Sequence, residues 1–190
     1  MSTWQPALVV VGASAGGVAA LRPLLAALPA ALPVPVLVVI HLPRDRRSRI
    51  AEVLAGDCVL PVREACDKQP LEPGTVTFAP PDYHLLVEDE QAVALSVDAP
   101  VVFSRPAIDP LFESASAVFG SRVLAILLTG ASHDGSDGIA CVRAAGGQAW
   151  LQCPEEAVAP TMPAAALQHA GADAVLPLDQ LCRRLKDVFS

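Results

Sequence analysis

The run Leu8-Val9-Val10-Val11-Gly12-Ala13-Ser14-Ala15-Gly16-Gly17 leaves little choice of local structure. Four apolar residues make a short buried strand, the small residues after them permit a tight turn, and helical spacing starts immediately. Val18, Leu21, Leu24, Leu25 and Leu28 then recur on one face over Gly17–Leu28, until Pro29, Pro33 and Pro35 end the helix. A strand that passes directly into a helix, and then into another strand, needs a parallel sheet covered by helices.

The alternation continues down the chain. Val34–Ile40 is a near-continuous β-branched run suited to a central parallel strand, stopping at His41-Leu42-Pro43. A short helix is predicted over Ser48–Leu54. From Cys58 to about Ser104 the character changes, because Pro61, Pro70, Pro73, Pro80 and Pro81 punctuate short strands instead of helices. Thr75–Phe78 is one; His84–Val87 and Ala92–Val97 form an antiparallel hairpin at an edge of the sheet or over it. Regular order resumes with a helix over Asp109–Phe119 and the strand Val123–Leu128. Then come a helix over Gly138–Ala145, the strand Gln148–Gln152, a helix over Pro163–His169, the strand Ala174–Leu176 and a helix over Asp179–Val188. The expected fold class is α/β: a doubly wound, mostly parallel sheet with an antiparallel hairpin insertion, in one domain over residues 1–190.

Composition narrows the chemistry. With 53% hydrophobic and 17% charged residues the chain can fill a core, and its formal net charge of -7 offers no basic field for nucleic acid. The cysteines Cys58, Cys66, Cys141, Cys153 and Cys182 are odd in number and form no C-x-x-C pair. That argues for reduced thiols and against disulfide or zinc frameworks. No apolar run reaches the roughly 18 residues of a membrane span, and no secretory signal opens the chain. A cytoplasmic protein with no membrane insertion, no metal and no cofactor is expected.

Ser14, His41 and Asp134 each follow one of the most apolar strands, which puts a hydroxyl, an imidazole and a carboxylate on the carboxyl edge of the predicted sheet. A hydroxyl needs its proton removed as it attacks, and histidine titrates close enough to neutrality to take that proton and return it. Asp134 then fixes the imidazole tautomer. Backbone N–H groups around Ala15, Gly16 and Gly17, and around Ala131 in the loop Gly130–Ser132, are candidate oxyanion donors. Each residue also has a plainer reading. Ser14 fits a helix N-cap, His41 a hydrogen-bonded strand end, and Asp134 before Gly135 a turn. His84, His133 and His169 compete for the role of base, and Arg105 either grips a polar substrate group or is solvated.

Gly12-Ala13-Ser14-Ala15-Gly16 matches G-x-S-x-G literally, yet it follows the first strand, and the order serine, histidine, aspartate differs from that of α/β-hydrolases. A dinucleotide fingerprint would need glycine at Ser14, and no Walker lysine follows. A nucleotide-binding regulator is therefore the weakest reading of the turn.

Val11-Gly12-Ala13-Ser14-Ala15-Gly16-Gly17, Ile40-His41-Leu42-Pro43 and Leu128-Thr129-Gly130 leading to His133-Asp134-Gly135 with Gly138 together resemble the catalytic domain of the bacterial chemotaxis protein-glutamate methylesterases. The resemblance extends to Ala79-Pro80-Pro81-Asp82-Tyr83-His84, Ser104-Arg105-Pro106 with Asp109, and Met162-Pro163. It implies a Ser-His-Asp hydrolase that removes methyl groups from glutamate side chains of chemoreceptors, releasing methanol, with glutamine deamidation in some members. Its motif positions assign the nucleophile to Ser14, the base to His41 and the acid to Asp134. The partner so implied is a methylated chemoreceptor or similar protein. A binding module of the same fold that has lost turnover is the alternative. This chain has Ala15 where the family often has threonine, and Ala131-Ser132 where methionine and glycine are usual. Family members that adapt chemotaxis usually resemble a fused receiver domain; none precedes Met1, so a stand-alone member or an excised domain is expected.

Overall fold

The computed structural model describes residues 4–43, 45 and 47–190. In chain order its elements are β1 (Leu8–Ala13), α1 (Gly17–Ala26), β2 (Val36–Ile40), α2 (Ile50–Ala55), β3 (Val62–Glu64), β4 (Val76–Phe78), β5 (His84–Val87) and β6 (Val93–Ser96). There follow α3 (Ile108–Phe119), β7 (Val123–Leu127), α4 (Ser136–Ala144), β8 (Gln148–Gln152), α5 (Thr161–Ala170), β9 (Ala174–Leu176) and α6 (Leu178–Val188).

Seven strands form one parallel sheet in the order β3-β4-β2-β1-β7-β8-β9. β1, β2 and β7 are buried at every residue, since helices cover both faces. Val9, Val11 and Ala13 share one core with Leu21, Leu24 and Leu25 of α1 and with Leu181 and Leu185 of α6. Leu8 and Val10 share the other with Ile108, Leu111 and Phe112 of α3, Ile139 of α4 and Met162 of α5. Each of these side chains larger than alanine contributes roughly 1.5–3 kcal/mol by leaving water. The sheet is therefore a stiff platform for whatever its rim carries.

From β1 the chain turns to β2 on one side and later returns to β7 on the other. That reversal opens a crevice at the carboxyl ends of β1 and β7, where ligands bind in open α/β sheets. β5 and β6 form a separate antiparallel pair. It lies over the sheet: Leu85, Val87 and Val93 pack into the same core as Leu111, Ala115 and Phe119 of α3. The Val87 amide donates to Ser114 Oγ at 3.0 Å.

The α/β class and the hairpin are as the sequence predicts, while β3 is an addition. Val62–Glu64 is a three-residue edge strand, only half-buried, so it shows no apolar run to read. Among the described residues no helix is long and apolar enough to cross a membrane.

Candidate active site

The rim begins where β1 ends. The Ser14 amide donates to Thr129 O at 2.9 Å, and the His41 amide donates to Ala13 O at 3.1 Å. Ser14 thus leaves the sheet between the strand ends that carry His41 and Thr129. Gly16 sits at the N-terminal cap of α1 with φ +78° and no side-chain cap bond, so Ser14 is not the cap of this helix. A Cβ on Gly16 would also lie 2.8 Å from Val158 Cβ, which makes glycine the residue that fits both the turn and the contact. Thr129 fastens the turn from the far side: its Oγ1 donates to Ala15 O at 2.9 Å and accepts the Ala159 amide at 2.8 Å.

Four backbone donors were expected here, and the structure separates them. The Gly17 amide donates to Ser14 O at 2.7 Å, so it is committed to the turn and is not free for an oxyanion. Among the described residues the amides of Ala15, Gly16 and Ala131 make no backbone hydrogen bond. These three remain as donors that a negative oxygen could meet.

His41 Nε2 lies 2.6 Å from Asp134 Oδ2, with the imidazole 14% exposed and the carboxylate fully buried. With Asp134 ionised, Nε2 carries the proton and Nδ1 keeps the lone pair. Asp134 also accepts the amides of Ile108 at 2.6 Å and Asp109 at 2.9 Å, the first two residues of α3. Gly12 brings that helix end so close: a Cβ there would stand 2.6 Å from Ile108 Cγ2. Burial alone would raise the Asp134 carboxyl, but the bonds from His41, Ile108 and Asp109, with the charge of His41, hold it below the ordinary carboxylate range. Ser132 Oγ accepts the Asp134 amide at 3.3 Å, and Ser132 is not in the left-handed region, so serine fits where glycine is usual. The Ser14 hydroxyl itself makes no hydrogen bond among the described residues.

Arg105 is bonded within the protein: Nε and Nη2 donate to Asp82 Oδ1 at 3.1 and 2.7 Å, and Nη1 donates to Val97 O and Asp98 O at 2.8 and 3.0 Å. It clamps the hairpin to the segment leading into α3. His84 is 2% exposed with Nε2 on Ala99 O and Nδ1 on the Ala107 amide, so both its nitrogens serve structure. His169 pairs with Asp137 on the surface. His133 lines a cavity of about 570 Å³ between α4 and α5 with Ser136, Asp137 and His169. A more apolar cavity of about 340 Å³ is lined by Val18, Leu42, Pro43, Ile50 and Val53 together with Arg47, Ser48 and Arg49. Among the described residues no cluster of His, Cys, Asp or Glu is arranged to hold a metal ion.

Sequence reasoning missed the parts played by Thr129 and Asp109. Thr129 ends an apolar strand just as Ser14 does, which was the available signal. Asp109 opens a helix, and nothing local tells that it meets Asp134.

A parallel doubly wound sheet with a buried acid-imidazole pair at its switch point, following the order serine, histidine, aspartate, is the frame of an esterase distinct from the α/β-hydrolases. The CheB methylesterase family model matches residues 9–185, and the chain belongs to that family. A Leptospira interrogans relative is 36% identical over 173 residues, 91% of this chain and 90% of its own length. An Anaeromyxobacter dehalogenans protein-glutamate methylesterase/protein-glutamine glutaminase is 43% identical over 94% of this chain, which spans 52% of that protein. The crystal structure of the Thermotoga maritima CheB methylesterase catalytic domain superposes with a TM-score of 0.91 at 30% identity, covering 97% of this chain and 99% of that one.

Proposed function

We propose that this chain hydrolyses methyl esters of glutamate side chains on chemoreceptor-type proteins, with Ser14 as nucleophile, His41 as base and Asp134 as orienting acid. The observation that carries the reading is the 2.6 Å bond from His41 Nε2 to a fully buried Asp134 carboxylate, one strand away from Ser14. It leaves Nδ1 as the ring nitrogen for the serine proton. Ser14 Oγ attacks the ester carbonyl while Nδ1 takes its proton, and the oxyanion draws on the free amides of Ala15, Gly16 or Ala131. Collapse expels methanol, protonated by the imidazolium; water, deprotonated by the same ring, then releases the glutamate and Ser14. One oxyanion donor is worth about 3–4 kcal/mol and general base help about 10²–10⁴-fold, so both are needed. A glutamine amide follows the same path with ammonia leaving, in keeping with the double name of the relatives.

Ser14→Ala should abolish methanol release from a methylated receptor while the circular dichroism stays that of wild type; undiminished release contradicts the assignment. A second reading is favoured by the Ser14 hydroxyl making no hydrogen bond to His41: a binding module of the same fold without turnover. Catalytic bonds often tighten only when substrate is bound, and labelling by a serine-directed phosphonate separates the two. Labelled Ser14 supports the esterase; an inert Ser14 with measurable receptor binding supports the module.

A further inference from the structure

Two buried acids sit together above the crevice, and the chemistry so far uses one. Asp109 is 5% exposed and Asp134 fully buried. Their contacts cross. Asp134, in the loop before α4, accepts the two amides that open α3. Asp109, in the first turn of α3, accepts the Gly138 amide in the first turn of α4 at 2.7 Å. The start of α3 is capped by an acid from the loop before α4, and the start of α4 by an acid of α3, so displacing either carboxyl loosens both helix starts and the group that holds His41.

We propose that Asp109 is a positioning residue for this site: it carries the proton of a buried acid pair, and so keeps Asp134 both ionised and fixed for His41. The reaction it serves rests on the esterase reading; the pairing rests on the crossed caps.

Two neighbouring carboxyls in a buried place do not both ionise at low cost, and the one with more donors keeps the charge. Asp134 has three donors, His41 Nε2 and two amides, whereas the Gly138 amide is the donor to Asp109. Burial, against the Gly138 bond, and then the charge of Asp134 push the Asp109 carboxyl up to about 7. The remaining titratable groups around it do not reverse this order. Asp137 on α4 adds negative charge and is paired with His169 of α5; Glu113 lies one turn further along α3. Cys141 on α4 is a thiol that burial pushes up, and His84 of β5 is spent on the Ala107 amide.

The test follows Asp109 by carboxyl-carbon NMR and the His41 ring in parallel, from acid to alkaline pH, in wild type, Asp109→Asn and Asp109→Ala. Asparagine copies the neutral acid: its oxygen accepts from Gly138 and its amide donates to Asp134. The Asp109 carbon should titrate near neutrality, with an inflection in the His41 ring at the same pH that both variants lose. Asp109→Ala should lower kcat by about a hundredfold with KM little changed, and Asp109→Asn should restore most of that loss. An Asp109 carbon titrating near the ordinary value of about 4, or an asparagine variant as slow as the alanine one, overturns the proposal. If Asp109→Ala does not fold, the wild-type titration and Asp109→Asn still decide. A chain with no esterase activity but linked Asp109 and His41 titrations defeats the esterase reading and supports the acid pair.

Discussion

Asp134 Oδ2 lies 2.6 Å from both His41 Nε2 and the backbone nitrogen of Ile108. One oxygen therefore joins the imidazole to the start of α3, while Oδ1 takes the Asp109 amide. An asparagine cannot replace this carboxylate. Whichever way its amide is turned, an NH2 faces a backbone N–H that needs an acceptor. Asp134→Asn should cost about 2–4 kcal/mol of stability in chemical denaturation and slow ester turnover by about 10³–10⁴-fold. A variant of unchanged stability would show that the Ile108 and Asp109 amides are satisfied in another way.

Stability should depend on pH in opposite senses at the two acids. The folded Asp109 carboxyl, raised to about 7, binds its proton more tightly than the unfolded one. Its contribution is fully present below the unfolded value of about 4 and is lost as pH rises through about 7. Asp134 is lowered, so its contribution is present above the unfolded value and lost as pH falls through the folded one. The Tm of wild type should decline between mildly acidic and mildly alkaline pH, and that of Asp109→Asn should decline less. Parallel curves for the two proteins would remove Asp109 as the source.

Arg105 separates structure from substrate binding. Its guanidinium is 17% exposed and bonded to Asp82 and to two carbonyls of the hairpin end. Arg105→Met should lower stability by about 1 kcal/mol, since Val97 and Asp98 are exposed and water can take the place of the lost donor. The KM for a small soluble ester should hardly move. A raised KM at unchanged Tm would return Arg105 to the substrate.

Gly16→Ala tests the turn that presents Ser14. A left-handed alanine costs roughly 1–2 kcal/mol, and its methyl meets Val158. Denaturation should show that loss, and kcat should fall further than stability explains, because the Ala15 and Gly16 amides shift with the turn. An unchanged kcat would take those two amides out of oxyanion stabilisation.

The sheet was readable from the chain because β1, β2 and β7 are buried on both faces, and such strands appear as unbroken apolar runs such as Leu8–Val11 and Val34–Ile40. Strand ends were readable for the same reason, which is how His41 and Asp134 were placed on one rim. Val62–Glu64 was not readable, since an edge strand of three half-exposed residues carries no period. The occupied Gly17 amide, the clamp made by Arg105 and the crossed caps of Asp109 and Asp134 were hidden too. Each depends on which groups meet across distant parts of the chain, and local spacing holds no record of that.

β1 lies in the middle of the sheet and comes well before its neighbour β7 in chain order, with Leu8 paired to Val123. A growing chain therefore holds a half-walled β1 until residues 123–127 have left the ribosome. Asp134 comes later still. A fragment ending before β7 would carry Ser14 and His41 but lack the carboxylate to which His41 Nε2 is bonded, so that pairing can form only late in synthesis.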